Sequence, residues 1–282
     1  MPDFAVYEPN YRAKTGSLKV WLESFRLVYR KRDLLFYLVV RDFLSEYKRS
    51  FIGMGWVLIS PVLSIFSWVL INYANILNPG ELSIPYPVYV LVSTMIWGLF
   101  VGIYQSVSNI FFESVSFGFD VKFHRQVLIA KQMVLHVLNF AIGLVFVAAV
   151  LVYHRIFPSW TIALCPLVLL PLVLLGAGFG LIVSIYSVVL PDSKRWIDFG
   201  VQLLMFVTPV IYSPDVGNAC IREIIRYNPL TYLVGWSRAT LVGGSFDEPG
   251  KFLLSALGAL AVFLLGLRFL YVCEDKVIEK IY

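Results

Sequence analysis

The chain has 282 residues, 59% of them hydrophobic and only 15% charged, with a formal net charge of +5. Soluble domains carry roughly 25% charged residues, so the composition excludes a water-soluble enzyme or nucleic-acid binder and specifies an integral membrane protein. The positive excess then reads as a topology signal.

The first 50 residues carry a helix pattern, and residues 1–33 lack the apolar core expected of a secretory signal. Leu18, Trp21, Leu22, Phe25, Val28 and Tyr29 recur at helical spacing, with Lys19, Glu23, Arg26 and Arg30 on other faces. Phe36, Val40, Phe43, Leu44, Tyr47 and Phe51 continue the period beyond an expected cap at Asp33. A helix apolar on one side and basic on the other lies in the membrane interface. Its charges stop at Arg49, and no Asp, Glu, Lys or Arg follows until Glu81. The chain is therefore expected to turn into the bilayer near Gly53 and Gly55.

A helix needs about 20 apolar residues to cross the hydrocarbon. Windows 50–80, 82–112, 132–154, 156–191 and 199–214 are free of the four charged types, and a sixth span lies in 252–267, where Arg268 can snorkel from the helix end. Long unbroken runs exclude a β-barrel, whose strands alternate. The expected fold is an all-α membrane protein. Residues 1–50 form an extension and amphipathic interface helix, and 51–282 a domain with spans at about 53–77, 88–112, 133–153, 162–190, 197–213 and 252–273. With six spans, 18 of the 23 Lys and Arg residues fall on the side of the termini, which predicts cytoplasmic termini.

The second span carries Trp97, Phe100, Tyr104 and Phe111 as a stripe, with Ser93 and Ser108 in step. Gly98 with Gly102, and the run Gly176, Gly178 and Gly180, predict close helix contacts. The connection 113–131 is long and mixed, with Phe117, Phe119 and Phe123 among Asp120, Lys122 and Arg125. Aromatics flanked by charge suit a partner surface. The fourth window is too long for one straight crossing and holds Pro166 and Pro171 near its outer end, so a kink, a tilt or an interfacial lead-in is expected. Between the last two spans, 219–244 reads as two short helices broken at Asn228 and Pro229, re-entrant or lying on the outer surface.

No energy source is encoded. The spans hold no Asp, Glu, Lys or Arg at mid-depth, and His136 reads as a packed histidine. The Gly250-Lys251 pair is followed by Phe252 and is no phosphate loop. The three histidines are too scattered for a triad or a metal cluster, and Cys165, Cys220 and Cys273 lack ligand spacing. Neither catalytic nor metal residues are assigned. If transport occurs, its motor belongs to another chain.

Three stretches then carry a family resemblance: "RDFLSEYKRSFIGMGWVLISP", "LPDSKRWIDFGVQLLMFVTPVIYSPD" and "RYNPLTYLVGWSRATLVG". Together they resemble the type-two ABC export permeases for O-antigen, capsule and teichoic-acid polymers. The resemblance implies a homodimer in the bacterial inner membrane, bound to two copies of an ATPase subunit that holds ATP and Mg. No cofactor is expected in this chain. It also implies a cargo of glycan on an undecaprenyl-type pyrophosphate lipid. The 113–131 connection, with Phe117, Phe119, Asp120, Lys122, Phe123 and Arg125, would dock the ATPase. Arg222, Arg226, Asn228, Pro229, Trp236 and Arg238 would belong to external gate helices. Sugars stack on aromatic rings, so Trp56, Trp97, Phe100, Tyr104 and Phe111 are candidates for the wall of a path. Arg41, Lys48 and Arg49 are candidates for the lipid pyrophosphate. The alternatives are an ABC permease for a small lipid or drug, or a membrane-embedded glycolipid transferase. The transferase is disfavoured because Glu81, Asp192, Asp215 and Asp247 are isolated.

Overall fold

The computed structural model describes residues 11–48, 55–76, 78–116, 124–157, 160–215 and 218–281, and every regular element among them is helical. In lipid the backbone has no water to bond, and a helix satisfies its own amides and carbonyls. Helices α1 (Tyr11–Lys14), α2 (Ser17–Arg30) and α3 (Arg32–Lys48) precede α4 (Gly55–Tyr73), α5 (Tyr86–Ser108) and α6 (Ile110–Ser116). There follow α7 (Arg125–Tyr153), α8 (Cys165–Val189), α9 (Pro191–Val207), α10 (Ala219–Tyr227), α11 (Pro229–Val242) and α12 (Pro249–Ile281).

Among the described residues four helices are long and apolar enough to cross a membrane: α5, α7, α8 with its lead-in, and α12. The chain is a multi-pass membrane protein. The excess length expected in the fourth window is taken up by a single 3-10 turn, Trp160–Leu164, after which Pro166 sits in the first turn of α8 and Pro171 within it. Proline is tolerated in a first turn because the N–H it lacks would have no helical acceptor there. Helix α4 lies in the window expected for the first span, whereas α9 overlaps the window expected for the fifth only over 199–207, because it begins at Pro191 and its first turns carry Asp192, Lys194, Arg195 and Asp198. At 19 and 17 residues and 1.5 Å per residue they reach about 28 and 26 Å, slightly short of the hydrocarbon thickness of about 30 Å.

The core forms around α8, through its three alternating glycines. A Cβ on Gly176 would lie 2.9 Å from the Phe100 carbonyl oxygen, and one on Gly180 2.8 Å from that of Tyr104. Residues four apart share a helix face and the residue between them points away. Gly178 accordingly meets α12, where a Cβ would lie 2.6 Å from Phe263 N and Cα, and Gly266 of α12 returns the contact on the Gly178 carbonyl at 2.8 Å. Backbone thus packs on backbone on two sides of α8, as small residues permit. The Gly98/Gly102 pair acts differently from expectation. Gly102 makes room for the ring of His136, which pairs through Nε2 with the Ser106 hydroxyl at 2.7 Å, whereas Gly98 has open space around it.

The interface helix divides its apolar residues between two faces. Val20 and Ser24 are buried, and Trp21 donates from Nε1 to the Leu264 carbonyl of α12 at 2.9 Å. Leu18, Leu22, Phe25 and Tyr29 are exposed at spacings of four, three and four, a stripe suited to lipid. The helix breaks at Lys31, two residues before the expected cap.

Candidate functional site

The face that carries the termini is held by two charged junctions. In the first, Lys131 of α7 is 1% exposed, with Nζ 2.8 Å from Asp42 Oδ2 and ion-paired to Glu113 Oε1. Gln132 donates to the other Glu113 oxygen at 2.7 Å, and Arg41 grips Asp42 Oδ1 through Nε and Nη2 at 2.7 and 2.6 Å. One lysine thereby ties α3, α6 and α7 together. A buried ammonium without partners would carry several kcal/mol of desolvation; two carboxylates offset that here. Burial by itself would raise the Asp42 carboxyl, but hydrogen bonds from Lys131 and Arg41 outweigh it and hold it below its ordinary value.

In the second junction Glu274, near the end of α12, accepts Arg12 at 2.5 Å on one oxygen and pairs with Arg125 on the other. The Arg12 guanidinium lies 5.2 Å over the Tyr271 ring, and that of Arg125 5.0 Å over Phe111. The connection between α6 and α7 is therefore bracketed by fastened residues: Glu113 before it, Arg125 and Lys131 after it.

Of the residues expected to dock a partner, Phe117, Phe119, Asp120, Lys122 and Phe123 lie outside the described residues, as does Arg49 of the expected pyrophosphate set. Lys48 is the last residue of α3, and its side chain, like that of Trp56, is also outside the description. Arg125 and Arg41 are both engaged with carboxylates. Lys131, Glu113 and Glu274 were not singled out from sequence. A signal existed for the lysine: it is the sole Asp, Glu, Lys or Arg between Arg125 and Arg155, nearly two turns inside a membrane helix, and such a residue requires an acid nearby.

The aromatic stripe of α5 lies in the subunit core. Trp97 is 7% exposed, and Phe100, Tyr104 and Phe111 are fully enclosed. Trp97 packs on Phe100 at 5.4 Å, and Tyr104 stacks on Phe179 of α8 at 5.3 Å. The Tyr104 hydroxyl donates to Asp198 Oδ1 at 2.6 Å, and Lys194 holds Oδ2 at 2.6 Å, which anchors α9 to α5. A bond to a charged acceptor contributes about 1.5–3 kcal/mol, so Tyr104→Phe is expected to lower the unfolding free energy by about that amount, read from denaturation in detergent. Exposed aromatic residues occur on several other helices, among them Phe66 and Tyr73 of α4 and Trp196, Phe199 and Phe206 of α9.

On the opposite face, Asn228 separates α10 from α11, as the sequence predicts. Its carbonyl side chain caps α11 at Leu230 N (3.0 Å), and its amide reaches Thr208 Oγ1 (2.9 Å) and the Val207 carbonyl (3.4 Å) at the end of α9. Pro229 occupies the first turn of α11, and Gly243, with φ 75°, ends the helix in the left-handed region. Between these helices, the 81–84 connection, the 209–215 turn and residues 244–248 lies a cavity of about 530 Å³. Arg222, Arg226, Trp236 and Arg238 of the expected gate set all line it. Arg238 donates from Nη1 to Ser93 Oγ at 3.0 Å and to the Pro209 carbonyl at 3.1 Å, with its guanidinium 4.1 Å over the Tyr89 ring. Among the described residues no three His, Cys, Asp or Glu side chains converge on a metal position.

Residues 33–242 match the family of ABC-2 type transporters. Two O-antigen export system permease proteins RfbA of Klebsiella pneumoniae are 24% and 25% identical over 221 and 210 residues; the matches cover 76% and 72% of this chain, and 82% and 77% of theirs. The O-antigen export system permease protein RfbA of Myxococcus xanthus is 25% identical over 246 residues, 85% of this chain and 91% of its own.

Proposed function

The chain belongs to the ABC-2 type transporter family, and from that premise we propose that it is the membrane subunit of an ATP-driven exporter of a polyprenyl-pyrophosphate-linked polysaccharide. The observation that carries this reading is the match to O-antigen export permeases over most of both chains. On this reading ATP and Mg are held by two ATPase subunits, this chain acts as a pair, and the membrane is the bacterial inner membrane. Six spans, with α4 and α9 as the first and fifth, leave both termini cytoplasmic and place α10 and α11 outside as gate helices.

Two structural observations support the division of labour. The connection between α6 and α7 is fastened on both flanks by partly buried ion pairs, so a force applied there reaches α3, α7 and α12 directly. The exposed aromatic faces of α4 and α9, which meet where Trp68 touches Phe206 edge-on at 6.3 Å, supply a surface on which sugars can stack once two copies face each other. Pyrophosphate is to be met by the cations at the end of α3, with Arg41 moving from Asp42 to the ligand.

The expected result of deleting the chain is accumulation of lipid-linked polymer on the cytoplasmic side, and an ATPase is expected to co-purify with the intact protein. Uphill movement of glycolipid by the chain reconstituted without an ATPase would overturn the proposal. A permease for a small lipid or drug is the second reading, favoured by the burial of the α5 stripe; it predicts that no polymer accumulates.

A further inference from the structure

The cavity on the face opposite the termini has a chemistry that the export reading does not use. Its inner end is Arg238, whose partners are all neutral: a hydroxyl, a carbonyl and an aromatic ring. No carboxylate among the described residues pairs with it. A half-buried guanidinium without a counter-ion leaves positive potential in the space before it. The outer end is different. Glu81, Asp215, Asp247 and Glu248 line the cavity as exposed residues beside Arg222 and Arg226, with Glu248 paired to Lys251 at 2.5 Å, and the carboxylates of this mixed rim can accept from hydroxyls.

The wall between the two ends is held in place by the protein itself. Tyr89 donates its hydroxyl to the Pro209 and Tyr212 carbonyls at 3.1 and 2.7 Å, and Tyr232 donates to that of Arg226 at 2.7 Å. Trp236 donates to the Asp247 carbonyl at 2.7 Å and lies parallel to Phe252 at 4.2 Å. Groups fixed in this way bind without a further ordering cost. The volume of about 530 Å³ falls within the roughly 300–1,000 Å³ of small-molecule sites.

We propose that this cavity binds an acidic saccharide unit, its carboxylate or phosphate substituent on Arg238 and its ring hydroxyls on the carboxylates of the rim. A neutral sugar would leave Arg238 uncompensated. A bare anion would gain the guanidinium but forgo the hydroxyl bonds that the rim carboxylates can accept. The identification of this unit with exported cargo rests on the export reading; the binding itself does not.

The test uses the full chain in nanodiscs of zwitterionic lipid, titrated with methyl glucuronide, methyl glucoside or inorganic phosphate and followed by calorimetry and tryptophan emission. Methyl glucuronide is expected to bind at least about tenfold more tightly than methyl glucoside, and Arg238→Gln to remove that preference. Should Arg238→Gln fail to fold, as judged by its unfolding midpoint, Arg238→Lys keeps the charge without the planar fork and is expected to retain part of the preference. Equal affinity for the two glycosides, phosphate as strong as the glucuronide, no binding by the folded protein, or displacement of the glucuronide by phosphatidylglycerol in the disc would each overturn the proposal. Loss of ATPase co-purification with glucuronide binding intact would remove the export reading and leave this site standing.

Discussion

Replacing Lys131 with Met is expected to destabilise the detergent-solubilised protein by about 3–5 kcal/mol, the scale measured when one partner of a buried ion pair is removed. The reason is what the lysine leaves behind. Asp42 keeps Arg41 and Glu113 keeps Gln132, but both carboxylates lose the enclosed ammonium that lies between them. The triple variant Lys131→Met, Asp42→Asn, Glu113→Gln removes all three charges together and is expected to recover most of the lost stability, because neutral groups of similar shape no longer carry the desolvation penalty. Export is expected to stay impaired in that folded triple variant if the junction transmits force. A Lys131→Met protein that unfolds at the wild-type denaturant concentration would show that the lysine is not enclosed as described. The acid response has a definite sign. The Asp42 carboxyl is held below its ordinary value, so its contribution is complete at neutral pH and fades only as acidification passes through that lowered value.

Gly178→Ala is expected to be strongly damaging for a single added methyl. The added Cβ would lie 2.6 Å from both N and Cα of Phe263, and backbone atoms cannot rotate away as a side-chain tip can. Helices α8 and α12 would have to separate along their whole contact. Overpacking of a tight core costs about 1–3 kcal/mol and sometimes more, and the upper end is expected here. Gly98→Ala serves as the internal control: nothing lies within 4 Å of its Cβ position, and a surface change of this kind stays within about 0.5 kcal/mol. Chemical denaturation of both variants, alongside recovery of monodisperse protein, checks the pair. Equal stability of the two would mean that α8 and α12 are farther apart than described.

The helices themselves were legible because crossing lipid forces long charge-free windows: α5 and α8 lie within two of them, and α7 and α12 span nearly all of two more but run on past charged residues at their ends. The break at Asn228 was legible because Asn before Pro joins a cap to a residue that cannot continue the previous helix. The glycine run was legible as a contact, although its two-sided use needed the positions of α5 and α12. The place of the aromatic stripe was not. In a membrane helix both the core-facing and the path-facing sides are apolar, so period alone does not tell Trp97, Phe100 and Tyr104 in a core from the same residues along a passage. The charged junctions were hidden for another reason. Charges near span ends are dominated by the orientation signal, and a pairing between Lys131 and Asp42 spans 89 positions, beyond the reach of any local pattern.

Asn228 brings one more consequence. Its peptide N–H ends α10 on the Ile225 carbonyl, its side-chain oxygen starts α11, and its amide nitrogen is moored to the last residue of α9 and the one after it. Three rods therefore meet at a single joint, and a change of tilt in any of them must be shared by the others or break a bond at that joint. If α9 swings when the subunit works, the outer pair moves with it as geared parts do, without needing any ligand to tell it so.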